Sequence, residues 1–318
     1  MKKNVILFML MIILQNCNNE KDNIQRIHPN LKMGNYIHMI FSDEKKGYLF
    51  SNNENFSNNE VSSTVFQTID GGISWKIVKK YSNLTFSNVT PFFFKDDLFF
   101  VLEKNNNFFI TSLKTNKLLF ESKSLYSIFE VDHSLYVSTS EGIINVETTK
   151  LNNTVFVGNS VEPYKNGIIT IHSNNEKDFL VKYNFSNDYK KEYIDTKLTS
   201  LTLASKSQSN NFIFSGKDNN GFISICKLNE DGDIVELYST SKYTILDNLQ
   251  IDKSVISCFL GNIEGNFVKY NILYSVDNGG SWKIIEFNNL LFAKPSFMMG
   301  RKIYILEDFE NLKIINLR

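Results

Sequence analysis

An octad that occurs twice, a distance between its copies that divides into blade-sized units, and short apolar runs with no helical period predict an all-β protein, a seven-bladed β-propeller of four-stranded antiparallel blades. The octads are Thr68-Ile69-Asp70-Gly71-Gly72-Ile73-Ser74-Trp75 and Ser275-Val276-Asp277-Asn278-Gly279-Gly280-Ser281-Trp282. Their aspartates stand 207 residues apart, and five units of about 41 residues fit a four-stranded blade. Between them, apolar runs alternate with clusters of Asn, Asp, Ser and Gly, as short strands and their turns do.

At that period each unit can be placed in order. Blade one takes 36–41, 47–51, 64–68 and 75–78, with the first octad between its third and fourth strands. Blade two runs over 89–120, with strands around Phe92, Phe99 and Phe109. Blades three, four and five follow over 125–156, 161–194 and 201–238, and blade six, carrying the second octad, over 249–287. The last unit, 292–317, has room for about three strands. Segment 24–31, ahead of the first inner strand, is the donor of the missing fourth, and its pairing there closes the ring and removes exposed edges. Six blades with longer loops is the alternative architecture.

Within each octad the physical reading is a tight hairpin. Gly supplies the backbone angles of the turn, Asp accepts from the turn's own amides, and Trp covers the blade's apolar flank. Thr68, Asp70, Gly72, Ser74 and Trp75, with Ser275, Asp277, Gly279, Ser281 and Trp282, are therefore structural positions, and the aspartates are turn residues rather than catalytic acids. The pattern Ser/Thr-x-Asp-x-Gly-x-Ser/Thr-Trp resembles the Asp-box, or BNR repeat, of sialidase-like propellers. Residues 36–81, from Ile40-Phe41-Ser42-Asp43-Glu44-Lys45-Lys46-Gly47-Tyr48 to the first octad, are similar to a blade of the Ycf48-like photosystem assembly propellers, and residues 243–287 support the likeness. The resemblance implies an assembly factor that binds other proteins, while related Asp-box propellers include sialidases, glycan-active enzymes and sorting receptors. Fold alone does not choose among them.

The N-terminus reads as an address. Lys2 and Lys3 precede the apolar run 5–14, the length of a signal-peptide core. Leu14-Gln15-Asn16-Cys17 resembles the lipobox of bacterial lipoproteins, with Asn16 where that family usually has a small residue. The resemblance implies a signal peptide over 1–16, lipid attachment at Cys17 and a short polar tether over 17–23, leaving 24–318 as a single propeller domain. It also implies a location in the bacterial cell envelope, held to a membrane by lipid, at the outer membrane on its periplasmic or surface face.

Charge and composition narrow the partners. Lys and Arg number 34 against 34 Asp and Glu, so there is no basic excess to neutralise nucleic-acid phosphates. Apolar residues make up 42 % of the chain, with 27 Phe and 14 Tyr, enough for a large packed core. With 4 Pro, 15 Gly and 3 Cys the chain is neither collagen-like nor a disulfide scaffold.

Enzyme and metal chemistry find little footing. A sialidase-like site needs three arginines converging on a carboxylate, and this chain holds only Arg26, Arg301 and Arg318. Gln25-Arg26-Ile27-His28-Pro29 resembles the Phe/Tyr-Arg-Ile-Pro element of sialidases, but has an inserted His28 and no leading aromatic. His28, His38, His133 and His172 are scattered, and Cys226 and Cys258 show no metal-ligand spacing. These two cysteines read as buried thiols, with a disulfide as the alternative. Asp218-Asn219-Asn220-Gly221 and Asp231-Gly232-Asp233 read as hairpin turns rather than calcium loops. No metal, cofactor or catalytic residue is assigned. Phe92-Phe93-Phe94, Phe99-Phe100 and Phe108-Phe109 are expected to pack between blades. The Asn-rich stretch 52–59 is expected to be a solvated loop, with amide recognition of a partner as the alternative. Sequons such as Asn55-Phe56-Ser57 and Asn83-Leu84-Thr85 matter only on a eukaryotic secretory route.

The function expected from all this is a non-catalytic envelope lipoprotein that binds or helps assemble another envelope protein. A glycan-binding module is the alternative, and a sialidase-like glycan-active enzyme a third. Aromatic platforms with amides would favour glycan, and buried channel carboxylates with raised pKa would favour an enzyme.

Overall fold

A computed structural model describes residues 24–29, 31, 35–55, 60–148, 151–153, 160–165, 167–173, 177–185, 191–206, 212–287, 296–307 and 311–318. Residues 1–23, with the expected signal peptide, Cys17 and its tether, lie outside them, as do residues 56–59 of the Asn-rich stretch. The described chain is all-β, and its sheets form the seven blades of a propeller.

Blade one pairs Asn35–Phe41, Gly47–Asn55, Glu60–Thr68 and Lys76–Ser82 in that order. Blade two consists of Phe92–Phe94, Asp97–Lys104, Asn107–Ser112 and Leu118–Ser122, and the short strand Thr85–Phe86 also pairs with Asp97–Lys104. Blade three is Ser127–Val131, Ser134–Thr139, Gly142–Asn145 and Leu151–Asn153, and blade four Val161–Tyr164, Gly167–Ser173, Asp178–Asn184 and Lys191–Asp195. Blade five is Thr199–Leu203, Phe212–Lys217, Ile223–Leu228 and Ile234–Thr240. Blade six is Ile245–Asp252, Val255–Glu264, Phe267–Ser275 and Lys283–Ile285. A two-residue strand, Ser205–Lys206, runs parallel to the inner strand of blade six, Ser205 opposite Gln250. Blade seven contributes Ser296–Met299, Lys302–Leu306 and Leu312–Asn316, and its fourth strand is Ile24–Ile27, with Ile24 opposite Ile315 and Ile27 opposite Leu312. The predicted closure of the ring by the N-terminal strand is thus present in register.

Two local expectations are corrected. Residues 52–55 of the Asn-rich stretch are strand, because blade one's second and third strands extend to Asn55 and Glu60, with Asn52 opposite Ser63 and Asn53 opposite Ser62. The amide of Asn52 serves the fold: its Nδ2 donates to the Phe86 carbonyl at 3.0 Å, and its Oδ1 accepts from the Ser63 hydroxyl and the Phe86 amide, both at 2.8 Å. Trp75 sits just ahead of its strand, which begins at Lys76.

The hydrophobic core is distributed over seven seams, each between two consecutive blades. Ile27, Tyr304, Leu306 and Leu312 meet Met39, Phe41, Leu49 and Phe66 across the closing seam between blades seven and one. Phe94, Phe99 and Phe100 are buried, as expected for aromatic strands between blades. Antiparallel alternation fixes the sides of the ring. Turns joining first to second and third to fourth strands lie on one side, and turns joining second to third strands, with the links between blades, lie on the other.

Candidate functional site

The inner strands enclose a channel of about 1860 Å³, lined at one end by the turns from first to second strands and at the other by links such as Asn88 to Pro91 and Ser160. The octad hairpins lie on the side where the first kind of turn opens, and the two features are joined.

In the first octad, the Thr68 hydroxyl donates to Asp70 Oδ1 at 2.7 Å and accepts from the amides of Asp70 and Gly72 at 3.3 and 2.9 Å. Asp70 also accepts from the Ser74 amide at 2.9 Å and the Ser74 hydroxyl at 2.5 Å. The second octad repeats this bond for bond: Ser275 Oγ to Asp277 at 2.7 Å, the amides of Asp277 and Gly279 to Ser275 Oγ at 3.3 and 2.8 Å, and the Ser281 amide and hydroxyl to Asp277 at 2.9 and 2.7 Å. Hydroxyls of Ser281 and Ser275 and the Ser281 amide hold the Asp277 carboxyl down to about 2. At Asp70 burial pushes upward, but the bonds from Ser74 and Thr68 outweigh it and leave the carboxyl below its ordinary range. Both aspartates are stabilised as anions inside their own turns, which suits structure and not proton transfer.

Each octad also seals a seam. Gly72 and Gly279 hold φ of 95° and 88°, and a Cβ there would come within 2.6 Å of Leu312 and 2.8 Å of Leu237, side chains of the preceding blade. Trp75 Nε1 donates to the Gly72 carbonyl at 3.0 Å, while Trp282 Nε1 reaches both Gly279 at 3.1 Å and Leu237 of blade five at 2.9 Å. One further bond ties each octad to the channel rim. The Gly71 amide donates to the Lys45 carbonyl at 2.8 Å, and the Asn278 amide to the Ser254 carbonyl at 2.9 Å.

Other contacts stiffen the rim between blades. Asp43 accepts from the amides of Lys45 and Lys46, both at 2.8 Å, which lowers its pKa. Glu44 pairs with Lys302 of blade seven at 2.6 Å and is likewise lowered by that lysine. Buried Asp252 accepts from the Gly300 amide at 2.6 Å, and Lys95 pairs with Glu147 at 2.8 Å. Lys95, Asp132, Lys165 and Lys253 sit at these turns with positive φ, so their side chains are displayed by backbone that non-glycine residues seldom adopt. Sequence reasoning missed this ring. The signal available was a polar pair closing several of the inner strands, as in Phe94-Lys95-Asp96-Asp97 and Val131-Asp132-His133-Ser134. Among the described lining residues, Phe92, Phe93, Phe297 and Met299 give an apolar wall, Asn88 is the amide, and eight Asp or Glu stand against five Lys.

Of the remaining candidates His133 lines the channel, and the others fall elsewhere. Arg26, Arg301 and Arg318 are all exposed in blade seven and are not among the residues lining the channel. His38 donates from Nε2 to the Ser87 carbonyl at 2.9 Å, and burial lowers its pKa. His133 lies 3.4 Å from Glu130, and His172 packs edge-on against Tyr193. Cys226 and Cys258 are buried free thiols in different seams. Burial pushes Cys226 up to about 12 and raises Cys258 as well. Asp218 accepts from the amides of Asn220 and Phe222, both at 2.8 Å, as a turn residue does. Among the described residues, no group of three or more His, Cys, Asp or Glu could hold a metal ion.

No known protein-family model matches the sequence, and no curated protein matches it. Solved structures do resemble the fold. The computationally designed Ika8 protein aligns with a TM-score of 0.52 at 10% identity, covering 92% of this chain and 99% of that one. An acylaminoacyl peptidase of Pyrococcus horikoshii aligns with a TM-score of 0.58 at 14% identity, covering 88% of this chain, which spans 52% of the peptidase. Likeness at this identity is a likeness of fold: the chain is a seven-bladed β-propeller.

Proposed function

We propose that the protein is a non-catalytic envelope lipoprotein, anchored through acylated Cys17, whose Asp-box propeller binds or helps assemble another envelope protein. The observation that carries this reading is the channel. Its volume of about 1860 Å³ exceeds the roughly 300–1,000 Å³ of small-molecule pockets, so it suits a loop or chain segment of a partner. An apolar, aromatic and methionine-bearing wall inside a charged rim is the composition of a protein-binding surface. Asn88 as the lining amide gives less support to the glycan alternative, which calls for several amides beside aromatic platforms. The downward-displaced carboxyls of Asp43 and Glu44 are placed to hold charge rather than to donate a proton.

The test is recovery of partners from gently solubilised envelopes with the tagged full-length chain, its Cys17→Ala form and a Lys165→Glu, Lys253→Glu double variant. One envelope protein recovered near equal amount, lost in the double variant and reduced without the anchor, is the expected result. Recovery of nothing specific, or of proteins indifferent to the rim charges, overturns the reading.

A further inference from the structure

Two features of blades one and seven lie on the same side of the ring. The first is where the described chain begins. Ile24 opens the closing strand opposite Ile315, which is itself opposite Ile303, so it starts at the end of blade seven that carries the Gly300 turn, on the channel-mouth side. From Cys17 to Ile24 is seven peptide steps, a reach of at most about 25 Å. The tether therefore leaves the ring on the mouth side, while the far tip of Val255–Glu264, ten residues long, lies about 33 Å from that side.

The second feature is the tip of the first octad. Ile69 is 63% exposed and Ile73 is 55% exposed, and nothing in the hairpin's own bonding requires either. The second octad, with the same internal bonds, has Val276 and Gly280 at these places. The exposed pair stands beside the closing seam, because Gly72, between them, packs on Leu312, whose strand partner is Ile27. Exposed Lys45, Lys46 and Lys76 flank the tip. The acids among them are engaged: Asp43 by its own turn amides, Glu44 by Lys302 and Asp70 by Ser74.

We infer that this corner of the mouth side is a membrane-contact surface, with Ile69 and Ile73 seated among the headgroups of the bilayer that holds the Cys17 lipid. The inference rests on the anchor reading above. A lipid chain gains from a second, weaker contact. Apolar tips rimmed by lysines provide that contact at an anionic surface. The channel mouth is thereby turned toward the bilayer, where the partner it takes is a membrane-proximal segment.

The test uses the full-length acylated protein on vesicles of phosphatidylethanolamine and phosphatidylglycerol. A bimane label is placed at Ile73→Cys or, on the opposite side, at Ile263→Cys, which replaces a residue 67% exposed. Cys226 and Cys258 are buried and take no label. Lipid nitroxides near the headgroup are expected to quench bimane at position 73 several-fold more than at position 263. Equal quenching, stronger quenching at 263, or quenching at neither overturns the inference. Mass spectrometry of the N-terminal peptide separates the two ways of failing. A protein acylated and floating with vesicles but unquenched at 73 sinks the contact surface alone. An unmodified Cys17 on a protein that does not float sinks the anchor reading and this inference with it.

Discussion

The octads of blades one and six contain the same five hydroxyl, amide and carboxylate bonds, within 0.2 Å of each other, yet they seal different kinds of seam. The second packs blade six on blade five, its neighbour in the chain, and Trp282 hydrogen-bonds directly across to Leu237. The first packs blade one on blade seven, where the ring closes through a strand from the other end of the chain, and among the described residues Trp75 bonds within its own turn. The internal bonds make the turn, and the flanking residues decide how tightly it is fastened to the next blade. The closing seam is therefore held by apolar contact and by the Glu44–Lys302 bond at the rim rather than by the indole of its octad.

The sharpest way to break this comparison is to unseat the closing strand. Ile27 is buried against Leu312 and Leu306 in the closing seam, so Ile27→Asp places a carboxylate there without a partner, at a cost of about 4 kcal/mol. The chain has two tryptophans, one on each seam, so fluorescence reads them separately: a Trp75→Phe background reports the seam of blades five and six, and a Trp282→Phe background the closing seam. A ring that stands or falls as one unit loses both signals at the same lowered urea midpoint. An early loss at Trp75 with an unmoved transition at Trp282 shows blade seven parting alone.

Next in size are the octad glycines. Gly72→Ala and Gly279→Ala each put a Cβ onto backbone that favours glycine and into a leucine of the next blade, costing about 2–3 kcal/mol from strain and overpacking together. The larger loss is expected at Gly279. There the new methyl meets Leu237 Cβ at 3.2 Å as well as its tip, whereas Gly72 meets the end of Leu312, which can rotate. Equal urea midpoints for the two variants would show that side-chain freedom at the seam does not matter. Smaller again is removal of the indole donors. Trp282→Phe leaves two carbonyls without that donor and Trp75→Phe leaves one, so costs of about 1.5 and about 1 kcal/mol are expected, measured by calorimetry in single-variant proteins.

These residues also show what a sequence can reveal of such a ring. Period and closure were legible because Asp70 and Asp277 occupy the same hairpin five blades apart, and because the last unit had room for three strands while 24–31 had no other sheet to join. The seam partners Leu312 and Leu237 were not, since contacts between blades carry no local pattern. Nor was the parallel pairing of Ser205 with Gln250, which depends on how two inner strands approach each other. The channel rim was half legible. Its two-residue turns recur in the sequence, but Lys95 and Lys253 adopt positive φ without the Gly or Asn-Gly signal that marks such turns.

The smallest expected effect concerns protons and separates the two octads by chemistry rather than packing. Asp277 has an ordinary carboxyl value of 3.8 in the unfolded chain and about 2 in the folded turn, held there by the hydroxyls of Ser281 and Ser275 and the Ser281 amide. Between these values the unfolded chain binds the proton and the folded one does not, so the stability this carboxylate contributes is fully present above about pH 4 and is lost as pH falls toward about 2. Asp277→Asn removes the titrating group, and the urea midpoint of the variant is expected to fall less steeply than that of the parent across that window. Asp70→Asn is expected to flatten the profile by less, because burial at Asp70 works against the same set of bonds. Parallel profiles for parent and both variants would mean that the hydroxyls hold the neutral acid as well as the anion, and the turn would then owe its shape to Gly72 and Gly279 rather than to charge.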